Sequence, residues 1–128
     1  IILLGSENEI KECNQLKAMI KNSKVYNMSG KYDLKTVSAI LRHCKLFIGN
    51  DSGLMHLAAA SNIKTLGLFG PSREENYRPW GKNSYYLRTK KSYDELVLNK
   101  EYNRHLDSSL MTSLNVSTVY KKCLEILE

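Results

Sequence analysis

The stretch Lys45-Leu46-Phe47-Ile48-Gly49-Asn50-Asp51-Ser52-Gly53-Leu54-Met55-His56-Leu57-Ala58-Ala59-Ala60 changes character twice along its length. Lys45 to Ile48 is short and strand-like, Gly49 to Gly53 is the tightest polar punctuation in the chain, and Leu54 to Ala60, with three successive alanines, is strong helix material. Ile63 to Phe69 is a second apolar run ending at Gly70-Pro71, so strand, turn, helix and strand follow one another with short connections. The same alternation extends upstream. Ile1 to Leu4 reads as a strand, and Glu9 to Lys21 places Ile10, Cys13, Leu16, Lys17 and Ile20 at helical spacing. Val25 to Met28 is a further strand closed by Ser29-Gly30, and Asp33 stands as a cap before a helix with Leu34, Val37, Ile40, Leu41 and Cys44 on its apolar side. Downstream, Ser72 to Asn83 reads as a polar loop and Tyr85 to Leu87 as a late strand, while Thr89 to Ser113 shows no sheet element. Val116, Val119, Tyr120, Cys123, Leu124 and Leu127 fall at the spacing of a closing helix packed back on the domain. The expected fold class is α/β, an open, mostly parallel sheet with helices on both faces, which binds ligands beyond the carboxyl ends of its strands.

Composition agrees with one soluble globular domain: 128 residues, 42% hydrophobic and 25% charged, with seven Gly and two Pro. No apolar run approaches the roughly 20 residues of a membrane span. Ile1 to Gly5 has no basic leader before it and reads as a strand already under way, so an element upstream is expected to be missing. Nineteen Lys and Arg against 13 Asp and Glu give a formal charge of +6, which favours anionic partners without naming one. The basic residues are scattered, with no block suited to nucleic acid, and nucleic acid is not an expected partner. Three cysteines without CxxC spacing fit neither a disulfide framework nor a zinc knuckle and point to a reducing compartment.

Three strand ends are candidate sites. At Asn50-Asp51-Ser52-Gly53 a carboxylate, a hydroxyl and an unhindered backbone stand where a helix begins, and the unpaired N–H groups there suit a diphosphate. His56, in the first turn, joins them. The alternative is that Asp51 or Ser52 is an N-cap and His56 an ordinary surface histidine. Gly5-Ser6-Glu7-Asn8-Glu9 follows the first strand, where its carboxylates either bond sugar hydroxyls or favour a helix N-terminus; neither a GxGxxG nor a P-loop pattern is present. Phe69-Gly70-Pro71-Ser72 is expected to expose backbone toward the same crevice, or to be a plain turn.

Asp51 to Ala60 followed by Leu66-Gly67-Leu68-Phe69-Gly70-Pro71-Ser72 resembles the signature of glycosyltransferase family 9, the heptosyltransferase family. Gly5 to Glu9, Met28-Ser29-Gly30-Lys31 with Leu34, and Arg78-Pro79-Trp80-Gly81 resemble its other landmarks in the expected order. The similarity is strongest from Asn27 to Gly81, with a fainter echo from Leu114 to Leu127.

The resemblance implies one half of a GT-B fold, with residues 1–128 forming most of the C-terminal, Rossmann-like donor-binding domain and lacking its first strand and loop. It implies inverting transfer of a heptose or similar sugar from a nucleotide-diphosphate donor such as ADP-heptose to a lipopolysaccharide core or other glycan acceptor. No cofactor or metal is implied, and no DxD motif occurs here. Asp51 would orient the donor sugar, the backbone at Ser52 and Gly53 would receive the diphosphate, and His56 would face it. Glu9 would contact the donor, with Glu7 a near competitor. Met28 to Lys31 would lie near the base, and Gly70 would complete the edge. The acceptor and a general base would belong to a missing N-terminal domain. The implied location is cytoplasmic, with peripheral association at the cytoplasmic face of the inner membrane. Two departures stand out: Lys64 replaces the family's proline, and the family's cysteine-bearing region is represented only by Cys123. A nucleotide-sugar-binding module without transferase activity is the competing reading.

Overall fold

The computed structural model describes residues 1–21, 24–98 and 109–128, and the chain divides into two compact units, Ile1–Ile40 and Leu41–Glu128. In the first unit, β1 (Ile2–Leu3) and β2 (Tyr26–Asn27) pair in parallel, Ile2 opposite Tyr26 and Leu3 opposite Asn27. A 3-10 turn at Glu7–Glu9 leads into α1 (Ile10–Met19), which packs on β2. The Asn27 amide fixes strand to helix, donating to Asn14 Oδ1 at 2.8 Å and to the Ile10 carbonyl at 3.3 Å. The helical spacing of α1 is as read, but its apolar stripe buries no residue, and Leu16 and Met19 are exposed. α2 (Leu34–Leu41) is capped as the sequence indicates, Asp33 Oδ1 accepting the Thr36 N–H at 2.8 Å.

The second unit is built on β3 (Leu46–Asn50), β4 (Lys64–Phe69) and β5 (Ser84–Arg88), parallel and in that order, with β3 and β5 as the edges among the described residues. Register aligns Ile48 with Leu66 and Leu66 with Tyr85. Alternation along the strands then sorts side chains by face. Leu46, Leu66, Leu68, Tyr85 and Leu87 pack with Val119, Cys123 and Ile126 of α6 (Val116–Leu127). The opposite face takes α3 (Gly53–Ala60), whose Met55 and Ala58 are fully buried. Gly67 permits that approach, since a Cβ there would lie 2.7 Å from Met55 Sδ and 2.8 Å from a Phe69 ring carbon.

The α/β class, parallel pairing and helices on both faces match the sequence reading. The strands, however, group into two sheets, β1-β2 and β3-β4-β5, where one was expected. The segment read as a polar loop from Ser72 to Asn83 contains α4 (Glu74–Tyr77), a single helical turn. Within Thr89 to Ser113 the described residues hold no strand but do hold α5 (Tyr93–Val97), where Ser92 and Glu95 form a reciprocal cap; residues 99–108 lie outside the described residues. The closing helix is present, yet its buried side differs: Ile126 joins Cys123 in the core, while Val116, Tyr120, Leu124 and Leu127 are exposed. Lys64, the departure from the family pattern, opens β4 and donates through Nζ to the Ile126 carbonyl, tying strand to closing helix. Among the described residues no helix is long and apolar enough to cross a membrane.

Candidate functional site

In the second unit, the carboxyl end of β3 runs directly into α3. Ser52, in extended conformation, is the N-cap: its Oγ accepts the Met55 N–H at 3.4 Å, and its carbonyl accepts Met55 N–H at 3.1 Å and His56 N–H at 3.3 Å. Gly53 and Leu54 then begin the helix with N–H groups that no carbonyl within it can reach. Around Gly53 there is open space, since a Cβ built there meets nothing within 4 Å. An anion can therefore come close to the positive end of the helix.

Of the two residues that sequence left open as caps, Ser52 takes the role and Asp51 is released from it. Asp51 faces the next turn instead, its Oδ1 3.8 Å from His56 Nε2, with side chains 24% and 49% exposed respectively. Asp51, Ser52, Gly53 and His56 thus converge at one helix start, where carboxylate, backbone donors and imidazole are together accessible to a polar, charged molecule.

Gly70 is different. It follows β4, the neighbour of β3, but is buried rather than exposed as anticipated. A Cβ there would lie 2.5 Å from Met111 Sδ and 3.4 Å from Thr89 Cγ2, and the Gly70 carbonyl accepts from Arg88 Nη2 at 3.2 Å. A side chain here would have to displace that of Met111. Of the landmark at Arg78 to Gly81, Pro79 is buried, and Trp80 is 89% exposed.

In the first unit, Glu9 closes a capping box. Its Oε2 accepts both the Ser6 N–H and the Ser6 hydroxyl at 2.7 Å, and these bonds hold its carboxyl below the usual glutamate range, the backbone one contributing most. Met28 continues the ladder beyond β2, its N–H donating to the Leu3 carbonyl at 2.9 Å. Neither lines the cleft of about 340 Å³ in this unit, whose walls include Glu7, Asn14, Lys17, Ser29, Gly30 and Lys31. Glu7, the competitor of Glu9, is the carboxylate at that cleft. Gly30 packs on it with φ +65, where a Cβ would stand 2.9 Å from Glu7 Cα, so Ser29-Gly30 was the signal for the pairing.

The model of "Glycosyltransferase family 9 (heptosyltransferase)" matches residues 1–104. The chain belongs to glycosyltransferase family 9. It is 39% identical over 83 residues to lipooligosaccharide heptosyltransferase 2 of Campylobacter jejuni, covering 62% of this chain and 26% of that relative. The fold is that of the family 9 glycosyltransferase of Veillonella parvula, with a TM-score of 0.83 and 22% identity over 98% of this chain and 36% of the other. It is similar also to ADP-heptose lps heptosyltransferase II of E. coli, with a TM-score of 0.78 and 23% identity over 98% of this chain and 35% of that structure. The matched part of the chain thus spans about a quarter of the length of the Campylobacter relative, and the chain about a third of the two solved structures. The α/β architecture is shared with the two solved structures, and the residues that the family model matches include Asp51 to His56.

Proposed function

We propose that residues 1–128 form the larger part of the C-terminal, donor-binding domain of a GT-B heptosyltransferase. In this reading the protein transfers heptose from ADP-heptose to a lipopolysaccharide core acceptor with inversion. The observation that carries it is the α3 start, capped by Ser52, open at Gly53 and flanked by Asp51 and His56, within the segment that the family model matches.

The diphosphate docks on the backbone at Ser52 and Gly53, with His56 beside it and Asp51 orienting the donor sugar. Within the first unit, Glu7 and the Ser29–Lys31 turn line a cleft of their own; Met28 supports that turn, and Glu9 sets the geometry of the 3-10 turn through Ser6. An acceptor hydroxyl attacks the anomeric carbon as the bond to the nucleoside diphosphate breaks. The hydroxyl proton goes to a base outside these residues, and the α3 N-terminus stabilises the charge growing on the departing phosphate. The enzyme works in the cytoplasm, peripheral to the inner membrane that carries its acceptor.

The test is transfer from ADP-heptose by the full protein and by Asp51→Ala. The variant is expected to keep its thermal midpoint and lose donor binding or turnover. Unchanged donor affinity together with unchanged turnover would remove Asp51 from the site. ADP-heptose bound but never transferred would leave a nucleotide-sugar-binding module.

A further inference from the structure

Arg88 ends β5 and stands in register with Phe69, the end of β4. Its guanidinium donates in four directions. Nε reaches Glu74 Oε2 at 2.6 Å and Nη1 the Lys91 carbonyl at 2.7 Å, while Nη2 reaches the Ser72 carbonyl at 2.9 Å and the Gly70 carbonyl at 3.2 Å. The pair is well covered, with the Arg88 and Glu74 side chains 17% and 15% exposed. Only a planar guanidinium fork offers enough donors to hold so many acceptors at once. Those donors are spent inward and the charge is paired with Glu74, so Arg88 is not itself a phosphate ligand.

A second staple lies beside it. Arg73 Nη2 meets Asp94 Oδ1 at 2.5 Å, and its guanidinium sits over the Tyr93 ring at 4.2 Å. The loop from Gly70 to Arg73 is therefore fixed at Gly70 and Ser72 to the end of β5 and at Arg73 to the segment that follows it. Register shows where that loop stands: Asn50 pairs with Leu68, so Ser52 and Gly70 each lie two residues beyond a paired position at the same end of adjacent strands.

We propose that Arg88 is a positioning residue that holds the Gly70–Ser72 loop in one conformation as a wall of the donor site at the α3 N-terminus. The loop is then ordered before the ligand arrives, and binding does not bear the entropy of fixing it. This rests on the donor-site reading above.

The experiment compares ADP binding to the full protein, to Arg88→Lys and to Glu74→Gln by calorimetry, alongside amide exchange over residues 70–77. Arg88→Lys keeps a positive charge beside Glu74 while replacing the fork by one nitrogen. We expect a dissociation constant raised about tenfold, faster exchange at 70–77 in the free variant, and a larger slowing of that exchange by ADP than in the wild type. Glu74→Gln shifts all three in the same direction by a smaller factor, and serves if Arg88→Lys does not fold. A merely structural role would speed exchange and lower the thermal midpoint with the dissociation constant unchanged, which overturns the positioning role alone. Failure of the wild type to bind ADP or ADP-heptose overturns the donor-site reading and the positioning role with it.

Discussion

At the scale of single residues, the most informative position is Gly53. Its missing side chain meets no neighbour, so neither packing nor a positive φ requires glycine there. Alanine is a better helix former, and Gly53→Ala is expected to leave stability unchanged or raise it by up to about 1 kcal/mol. A methyl group on the open side obstructs the approach of an anion to the helix start. The same variant should therefore weaken ADP binding, a combination that calorimetry and thermal denaturation together would reveal. Tight binding retained in Gly53→Ala would move the diphosphate elsewhere. Residue types at this site were legible in the sequence because Asp-Ser-Gly before an alanine-rich run admits few local structures. The division of labour was not legible: whether Ser52 or Asp51 caps depends on side-chain torsions that only the fold selects. The burial of Gly70 was not legible for a related reason, since the segment that packs on it, around Leu110 and Met111, is distant in sequence and has no pattern pointing to that contact.

Elements carry a different kind of information, because a helix's spacing limits its buried face without choosing it. In α6, the sequence offers Leu127 and Ile126 as adjacent apolar positions; the structure buries Ile126 to 4% exposure and leaves Leu127 at 44%. Ile126→Ala should cost about 2–4 kcal/mol in chemical denaturation, and Leu127→Ala less than about 1 kcal/mol. Equal losses would mean that α6 is rotated from the position described. The choice between the two follows from packing on Leu66, and from Lys64 fixing the Ile126 carbonyl, neither of which periodicity can register. The short α5 offers a pH test. Bonds from the Ser92 backbone, then from its hydroxyl, and the nearby Lys91 charge hold the Glu95 carboxyl below the ordinary glutamate value. A group lowered on folding contributes stability that is fully present above its unfolded value and is lost as the pH falls through its folded one. Acidification should accordingly loosen the start of α5 only below the usual carboxylate range, visible as late-titrating Glu95 signals and faster Ser92 amide exchange. Glu95→Gln should remove most of that acid dependence.

For the molecule as a whole, the order of strands and helices was readable because each apolar run is bounded by Gly, Pro, Asn or Asp punctuation. Grouping was not readable: parallel partners are set by contacts far apart in sequence, and nothing in Val25 to Met28 or Lys45 to Ile48 says which strand lies next to which. The family resemblance is carried most strongly by a compact set of motifs between Asn27 and Gly81, which is why it could be read from a stretch that matches only about a quarter of its Campylobacter relative. One structural feature bears on handling the 128-residue polypeptide. In the three-stranded sheet of the second unit, β3 is an edge strand among the described residues, of sequence Leu-Phe-Ile-Gly-Asn, with Ile48 46% exposed and no lysine or proline within it. Such an edge is a template for intermolecular pairing. Concentrated solutions of this polypeptide should self-associate, with sedimentation coefficients that rise with loading concentration. Ile48→Lys should restore a single monomeric boundary, making solubility a property governed by one strand rather than by the chain's net charge.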